Sequence, residues 1–153
     1  MSRQVLSEQV LSRPAVKAWL GLLRGHRALA REFTARLLAE HDLTLNDYEV
    51  MAHLSRASDR RMRRVDLAER LQLTPSGITR LLEGLERAGL AEKATCDSDA
   101  RVTYAVLTDA GLERLREAST THVADIEAAL GCFSPDELET LGSLSARLAG
   151  ESS

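Results

Sequence analysis

The chain has 153 residues, of which 44% are hydrophobic and 28% are charged, so one folded domain with a substantial core is expected. No apolar run reaches about 18 residues and no continuous apolar segment opens the chain, which argues against membrane and secreted proteins and favours a cytoplasmic one. The net charge of −3 argues mildly against nucleic-acid binding, but residues 56–101 contain ten basic and eight acidic residues, against ten and fifteen elsewhere.

The first long element that we predict is a helix from Pro14 to about Glu40. Its apolar stripe is wide, which indicates burial against more than one partner; the stripe includes Val16, Leu20, Leu23, Leu29, Phe33 and Leu37. Thr44 then caps a second helix, with Asp47 in its first turn. The following stretch, Ala57–Met62, is expected to be a linker. The basic residues around it are suited to DNA phosphates, although they also fit a solvated loop: Arg56, Arg60, Arg61, Arg63 and Arg64.

A helix-turn-helix is predicted next. Apolar residues from Val65 to Leu73 lie on one side of a short helix, and residues 72–74 form the turn. Thr74 is a suitable N-cap and Pro75 fits the first position of the second helix. That helix has one apolar stripe at i, i+3, i+4, i+7 spacing, formed by Ile78, Leu81, Leu82 and Leu85. Its other face begins small, polar or basic, as contact with phosphates and base edges requires; it comprises Ser76, Gly77, Thr79, Arg80, Glu83 and Arg87.

After Gly89, which is expected to end this helix, the pattern changes to strands. Leu90–Thr95 and Arg101–Leu107 predict a two-stranded ribbon, and the polar stretch Cys96–Ala100 between them predicts a long tip. An arginine at position 101 is placed to enter a DNA minor groove, and Asp99 is placed to hold it.

Two further helices are predicted after the ribbon. Thr108 caps a helix from Asp109 to about Leu130, and Ser134 with Pro135 begins a last one, whose apolar residues are Leu138, Leu141, Leu144 and Leu148. The terminal helices have more apolar surface than a small domain needs, which indicates an interface. A two-fold dimer would place two reading helices about 34 Å apart, matching one turn of DNA and a palindromic site.

No catalytic or metal-binding pattern is evident, so neither an enzyme nor a cofactor is expected. The histidines do not form a metal-ligand motif, although ligands that converge only in the fold remain an alternative; they are His26, His41, His53 and His122. Cys96 and Cys132 are far apart in sequence and do not form a zinc or disulfide pattern. Oxidation of Cys96, in the ribbon tip, would add bulk or charge beside DNA.

The ordered motifs from Arg63 to Gly111 resemble the MarR family of transcription regulators. The resemblance rests on Leu67-Ala68-x-x-Leu71, Thr74-x-Ser76-Gly77-Ile78-Thr79-Arg80-Leu81, Leu85-Glu86-x-x-Gly89-Leu90, Asp99-x-Arg101 and Leu107-Thr108-x-x-Gly111. It implies a mostly α fold with a small β-wing (α+β) in a single chain, 1–153: a winged helix-turn-helix lobe at 44–108 and dimerisation helices at 12–40 and 109–150. Ser98 and Ala100 depart from the wing pattern, which predicts weaker wing contacts.

The resemblance also implies a homodimeric regulator, a repressor that a small molecule releases from a pseudo-palindromic operator in double-stranded DNA. The recognition helix, 74–88, would lie in the major groove and the wing, 95–101, in the minor groove. The residues expected at DNA are Arg63, Arg64, Thr74, Ser76, Thr79, Arg80, Asp99 and Arg101. The residues considered for the effector, each of which also fits the core or an interface, are Trp19, His26, Tyr48 and Met51. The alternative is a winged-helix protein-interaction module without operator binding.

Overall fold

In the computed structural model, which describes residues 8–95, 99 and 101–150, the N-terminal half begins with helices. A short helix α1 (Glu8–Leu11) precedes α2 (Pro14–His41) and α3 (Leu45–Arg56). Pro14 occupies the first position of α2, where its missing N–H has no intrahelical partner. The helix ends at Asp42, whose φ of 56° is left-handed. Thr44 then caps α3, as the sequence predicted, and forms a reciprocal capping box with Asp47.

The helix-turn-helix consists of α4 (Arg64–Arg70) and α5 (Pro75–Arg87). Gln72, with a left-handed φ of 52°, makes the turn between them. Thr74 accepts a hydrogen bond from the Gly77 N–H at 3.0 Å and so caps α5. The helix predicted for this region is therefore confirmed to within a residue at its start and its end.

The sheet has three strands in the order β1-β3-β2, namely β1 (Arg61–Arg63), β2 (Ala91–Thr95) and β3 (Thr103–Leu107). Both pairings are antiparallel, with Met62 opposite Ala105 and Ala94 opposite Tyr104. The predicted ribbon is present as β2 and β3. The expectation of only two strands, preceded by a linker, was wrong, because β1 lies at the end of the predicted linker and adds a third strand. β1 has only three residues, too few for an alternating pattern to be recognised, and its pairing depends on β3, about forty residues later.

A core of aliphatic residues joins α3, α4 and α5 to the sheet. Its largest fully buried side chains are Leu37, Leu43, Val50, Met51, Leu54, Leu67 and Leu82. Gly111, near the start of α6 (Asp109–Leu130), packs against the backbone of Leu90, and a β-carbon there would overlap the Leu90 carbonyl. This close contact fixes the base of the β2–β3 ribbon against α6.

The long helices α2 and α6 pack side by side and contribute Leu37, Leu115 and Ala118 to this core. Arg114 donates a hydrogen bond to the carbonyl of His41 at 2.7 Å, which ties the end of α2 to α6. The last helix, α7 (Pro135–Ala149), is exposed along its length except at Ala146. Large exposed apolar side chains are concentrated at these outer helices: Leu11, Trp19, Leu22, Phe133, Leu138, Leu141, Leu144 and Leu148. None of the helices in the described ranges is both long and apolar enough to cross a bilayer.

Candidate nucleic-acid interface

Helix α5 divides into one buried side and one exposed side. Ile78, Leu82 and Leu85 are buried against the core, whereas Ser76 and Arg80 are exposed. Because apolar residues occupy one side only, the helix is held in place while its polar side faces outward. This is the arrangement that a helix needs to enter a groove of DNA.

The hydroxyl groups near the start of α5 take part in local hydrogen bonds. Thr74 Oγ1 lies 3.2 Å from Ser76 Oγ, and Thr79 Oγ1 donates to the Pro75 carbonyl at 2.8 Å. A hydroxyl oxygen that donates one hydrogen bond can still accept others. Thr79 can therefore accept from a base amino group, while Ser76 can donate to a phosphate.

Arg80 is exposed on the same side of α5. Its Nε is 3.5 Å from the carbonyl of Ser76, at the outer limit of a hydrogen bond. Neither terminal nitrogen has a hydrogen-bond partner among the described residues, and the two together can bind guanine O6 and N7 or a phosphate.

At the wing, Asp99 and Arg101 make the contact that the sequence predicted. The Arg101 guanidinium donates from Nε at 3.1 Å and from Nη2 at 3.2 Å to the two oxygens of Asp99. These hydrogen bonds hold the pKa of Asp99 below its ordinary value. The Arg101 side chain is nevertheless 91% exposed, so it is held in place and available to DNA. The tip residues Cys96, Ser98 and Ala100 lie outside the described residues.

The basic residues before the helix-turn-helix are mostly engaged within the protein. Arg60 pairs with Asp109 at 2.8 Å, and the Arg61 guanidinium lies 4.0 Å from the centre of the Tyr104 ring. Arg61, which the sequence suggested only as part of a basic run, therefore extends from the edge strand across the sheet face.

Arg63 and Arg64 are adjacent in sequence, but their side chains point in different directions. Arg63 donates from Nε and Nη2 to Asp66, both at 2.8 Å. These hydrogen bonds raise the pKa of the Arg63 guanidinium above its ordinary value. Its side chain is still half exposed, and its Nη1 has no partner within the part of the chain that the structure describes, so it can bind a phosphate. Arg64 is turned inward and pairs with Glu86 at 2.6 Å, so it is the less suited of the two to meet a phosphate.

The four residues considered for an effector are not gathered into one site. Trp19 and His26 are exposed on α2, whereas Met51 is fully buried in the core. Tyr48, by contrast, lines a cleft of about 310 Å³ between α3, the end of α4 and α6. The other lining residues are Glu49, Ala52, His53, Arg56, Arg70, Leu71 and His122.

The cleft brings together the guanidinium groups of Arg56 and Arg70, the carboxylate of Glu49 and the imidazoles of two histidines. His122 is only 6% exposed and stacks edge-on against Phe33 and Tyr48, at 5.1 and 4.6 Å between ring centres. Its Nδ1 is buried without a hydrogen-bond partner among the described residues, and burial lowers its pKa. The pKa of His53 is lowered by burial first and then by the nearby charges of Arg70 and Arg56.

Sequence reasoning missed most of this cleft. One signal was available within α3, because Glu49, His53 and Arg56 follow one another at the i, i+4, i+7 spacing of a single helix face. In the ranges 8–95, 99 and 101–150, no three His, Cys, Asp or Glu side chains are grouped so that they could hold a metal ion.

Comparison with known proteins agrees with this geometry. A family model described as "MarR family" matches residues 41–102. AbsC, a MarR-family transcriptional regulator from Streptomyces coelicolor, is 30% identical over 95% of each chain, with a TM-score of 0.80. The chain belongs to the MarR family. YetL of Bacillus subtilis, a transcriptional repressor, is 30% identical over 72% of this chain and 69% of its own.

The fold of this MarR-family chain is also that of a protein seen on DNA. Sco3205 of Streptomyces coelicolor, in complex with DNA, superposes with a TM-score of 0.82 at 24% identity, over 94% of this chain and 88% of that one. The chain is thus a DNA-binding transcription regulator of the winged helix-turn-helix class. The MarR-like resemblance and the mostly helical α+β fold with a small wing, both expected from the sequence, are confirmed.

Proposed function

We propose that the protein is a homodimeric, sequence-specific regulator that represses transcription and releases its operator when a small molecule binds. The observation that carries the proposal is the division of α5 into a buried apolar side and an exposed side with Ser76 and Arg80. Helix 74–88 would lie in the major groove, with Arg80 and the hydroxyl groups of Thr74, Ser76 and Thr79 contacting base edges and phosphates.

The wing would contact the adjacent minor groove. Arg101, oriented by Asp99, is the residue proposed to enter it, because a narrow minor groove concentrates negative potential. Arg63 lies on the edge strand of the same sheet, and its Nη1 has no partner among residues 8–95, 99 and 101–150, so we propose that it contacts the flanking DNA backbone. Charge-assisted contacts of this kind provide affinity that decreases as salt rises.

Dimerisation is supported by the apolar surface of the outer helices. The exposed leucines at 138, 141, 144 and 148 are spaced three or four residues apart along α7, which gives one continuous apolar face. Exposed faces of this kind usually mark an interface. A two-fold dimer through α7 and the N-terminal helices would present two copies of α5 to a pseudo-palindromic operator.

The cleft lined by Tyr48 and His122 is the site that we propose for the effector, with Arg56 and Arg70 favouring an anionic group. The buried Nδ1 of His122 supports this assignment, since a buried polar atom without a partner is costly and a ligand could satisfy it. The cleft joins α6 to the end of α4, so a ligand would favour one orientation of the helix-turn-helix relative to α6. It would regulate DNA binding to the extent that its affinity differs between the two orientations.

The deciding experiment has two stages. First, the purified protein selects duplexes from a random-sequence library, and DNA upstream of its own coding region is tested in parallel. Gel-shift titrations then compare the selected duplex with a scrambled one at two salt concentrations. Specific, salt-sensitive binding by a dimer is the expected result. Failure to enrich any sequence, with the protein folded, would favour the alternative of an interaction module without operator binding.

A further inference from the structure

Arg64 and Glu86 form an ion pair inside the helix-turn-helix. Arg64 Nη2 donates to Glu86 Oε1 at 2.6 Å, and the two side chains are only 18% and 26% exposed. Arg64 is the first residue of α4, whereas Glu86 is in the last turn of α5. The pair thus connects opposite ends of the two helices across 22 positions of sequence.

Both charges are on the unfavourable end of their helix. A helix N-terminus has a partial positive charge and favours acidic residues, whereas a C-terminus favours basic ones. Arg64 and Glu86 each violate this preference, and each is offset by the other. Arg64 Nε is also buried without a partner among the described residues, so the pair is not optimised for stability. Residues that break local preferences of helix stability in this way are expected at positions that serve the protein's function.

The ion pair also reaches the wing through the sheet. Arg64 directly follows β1, in which Arg63 lies opposite Tyr104 of β3, and β3 pairs in turn with β2. We propose that Arg64 is a positioning residue that, through Glu86, fixes α5 relative to the wing, so that both reach their grooves at once. This inference rests on the operator contacts proposed above for α5 and the wing.

The position of the DNA-contacting residues of α5 should be sensitive to a small tilt of the helix. Ser76 lies ten residues from Glu86, or about 15 Å along the helix. A tilt of a few degrees at Glu86 therefore moves Ser76 by about 1 Å, which is more than precise recognition tolerates. Non-specific binding depends on charge rather than on exact placement, so it should be much less affected.

The test uses the full-length protein, a duplex that it has selected from a random library, and a scrambled duplex of equal length. One variant, Arg64→Met with Glu86→Leu, replaces the pair by apolar side chains. A second, Arg64→Glu with Glu86→Arg, reverses it and places each charge on the favourable end of its helix. The control removes an exposed pair of α6, 3.3 Å apart, with Arg116→Met and Glu113→Leu.

We expect the apolar variant to keep its melting temperature and its affinity for scrambled DNA, but to lose operator affinity by about tenfold, the effect of misplacing one base contact. The reversed pair should recover most of that affinity, and the control should resemble the wild type. If the apolar variant does not fold, the reversed pair alone decides.

Three results would overturn the inference. In the first, the apolar variant loses affinity equally for both duplexes, and its affinity depends less steeply on salt, by about one phosphate contact. This would show that Arg64 touches DNA directly. A reversed pair that binds the operator no better than the apolar variant would show that an ion pair at these positions does not set the placement of α5. Unchanged operator affinity in the apolar variant would show that the pair is dispensable. A wild-type protein that does not discriminate between the duplexes would instead refute the proposed operator recognition itself.

Discussion

The carboxylate of Asp99 accepts three hydrogen bonds from Arg101, from the backbone N–H at 3.0 Å, from Nε at 3.1 Å and from Nη2 at 3.2 Å. The guanidinium is thereby held in one orientation while its side chain stays 91% exposed. An arginine that is ordered before binding loses less conformational entropy when it meets DNA. The two residues therefore form one unit, in which Asp99 acts through Arg101.

Replacing Arg101 by alanine should weaken operator binding by at least about tenfold, because a cation placed for the minor groove is lost. The melting temperature should change by no more than about 2 °C, since the side chain is exposed. Gel-shift titration and thermal unfolding would measure the two effects. Asp99→Ala, which keeps the charge of Arg101 but frees it, should cause a smaller loss. Unchanged affinity in Arg101→Ala would remove the wing from the interface.

Arg80→Ala should also weaken operator binding, with a different signature. If Arg80 reads a guanine, the variant should lose about 1–3 kcal/mol of binding free energy and tolerate all four bases at one operator position. Binding to each of the single-base operator variants would reveal this. The matched control is Arg87→Ala, at the far end of the same helix. If both variants bind the operator like the wild type, Arg80 points away from the bases.

The helix-turn-helix could be predicted from the sequence because the two patterns that indicate it are both local. The cap at Thr74 and the apolar stripe from Ile78 to Leu85 depend only on neighbours within one helix. The contact between Asp99 and Arg101 was predictable for the same reason, since only one residue separates them in the sequence.

What the sequence did not reveal depends on contacts between distant segments. β1 is a strand only because Arg61–Arg63 pairs with β3, and the inward turn of Arg64 depends on Glu86, 22 residues later. The cleft gathers Tyr48, Arg70 and His122 from three helices. None of these partners can be identified from a periodic pattern within a single element, because they converge only in the folded chain.

The outer helices should form the dimer. Leu144→Glu places a charge in the apolar face of α7, where Leu144 is 49% exposed, and should convert the dimer to a monomer because an unpaired charge is costly to bury. Ser143→Glu, about 100° around the helix, introduces the same charge outside that face and should leave the dimer intact. Sedimentation equilibrium would distinguish twice the chain mass of 16.8 kDa from a single chain. Equal behaviour of the two variants would exclude α7 from the interface.

Gly111 should be required for the junction between the wing and α6. A β-carbon at this position would overlap the Leu90 carbonyl and crowd Leu107 Cδ1, and neither the backbone nor the packed leucine can move freely. Gly111→Ala should therefore lower the free energy of unfolding by about 1–3 kcal/mol, the usual range for overpacking. Gly142→Ala, where an added β-carbon meets no atom within 4 Å, is the control and should be neutral or stabilising by up to about 1 kcal/mol. Urea unfolding of both variants would measure the difference.

Acid should destabilise the protein through the buried imidazole of His122 and the partly buried imidazole of His53. Burial lowers the pKa of His122 from 6.5, more than the nearby carboxylates of Asp125 and Glu49 raise it, so the folded state favours the neutral ring. The stabilisation from a lowered histidine pKa is present above the unfolded value of about 6.5 and is lost as the pH falls below it, because the unfolded chain then binds the proton more readily. The pKa of His53 is lowered as well, so it should add to the same loss.

His122→Phe keeps an aromatic ring between Phe33 and Tyr48 but cannot bind a proton. Urea unfolding between pH 7.5 and 5 should therefore show a shallower loss of stability in this variant than in the wild type, with His53 responsible for part of the remainder. Leu115→Ala, a change in the buried part of α6, should lower stability by about 2–5 kcal/mol at every pH without changing the slope. If His122→Phe shows the same pH dependence as the wild type, protons bind elsewhere and the buried imidazole of His122 does not control the acid response.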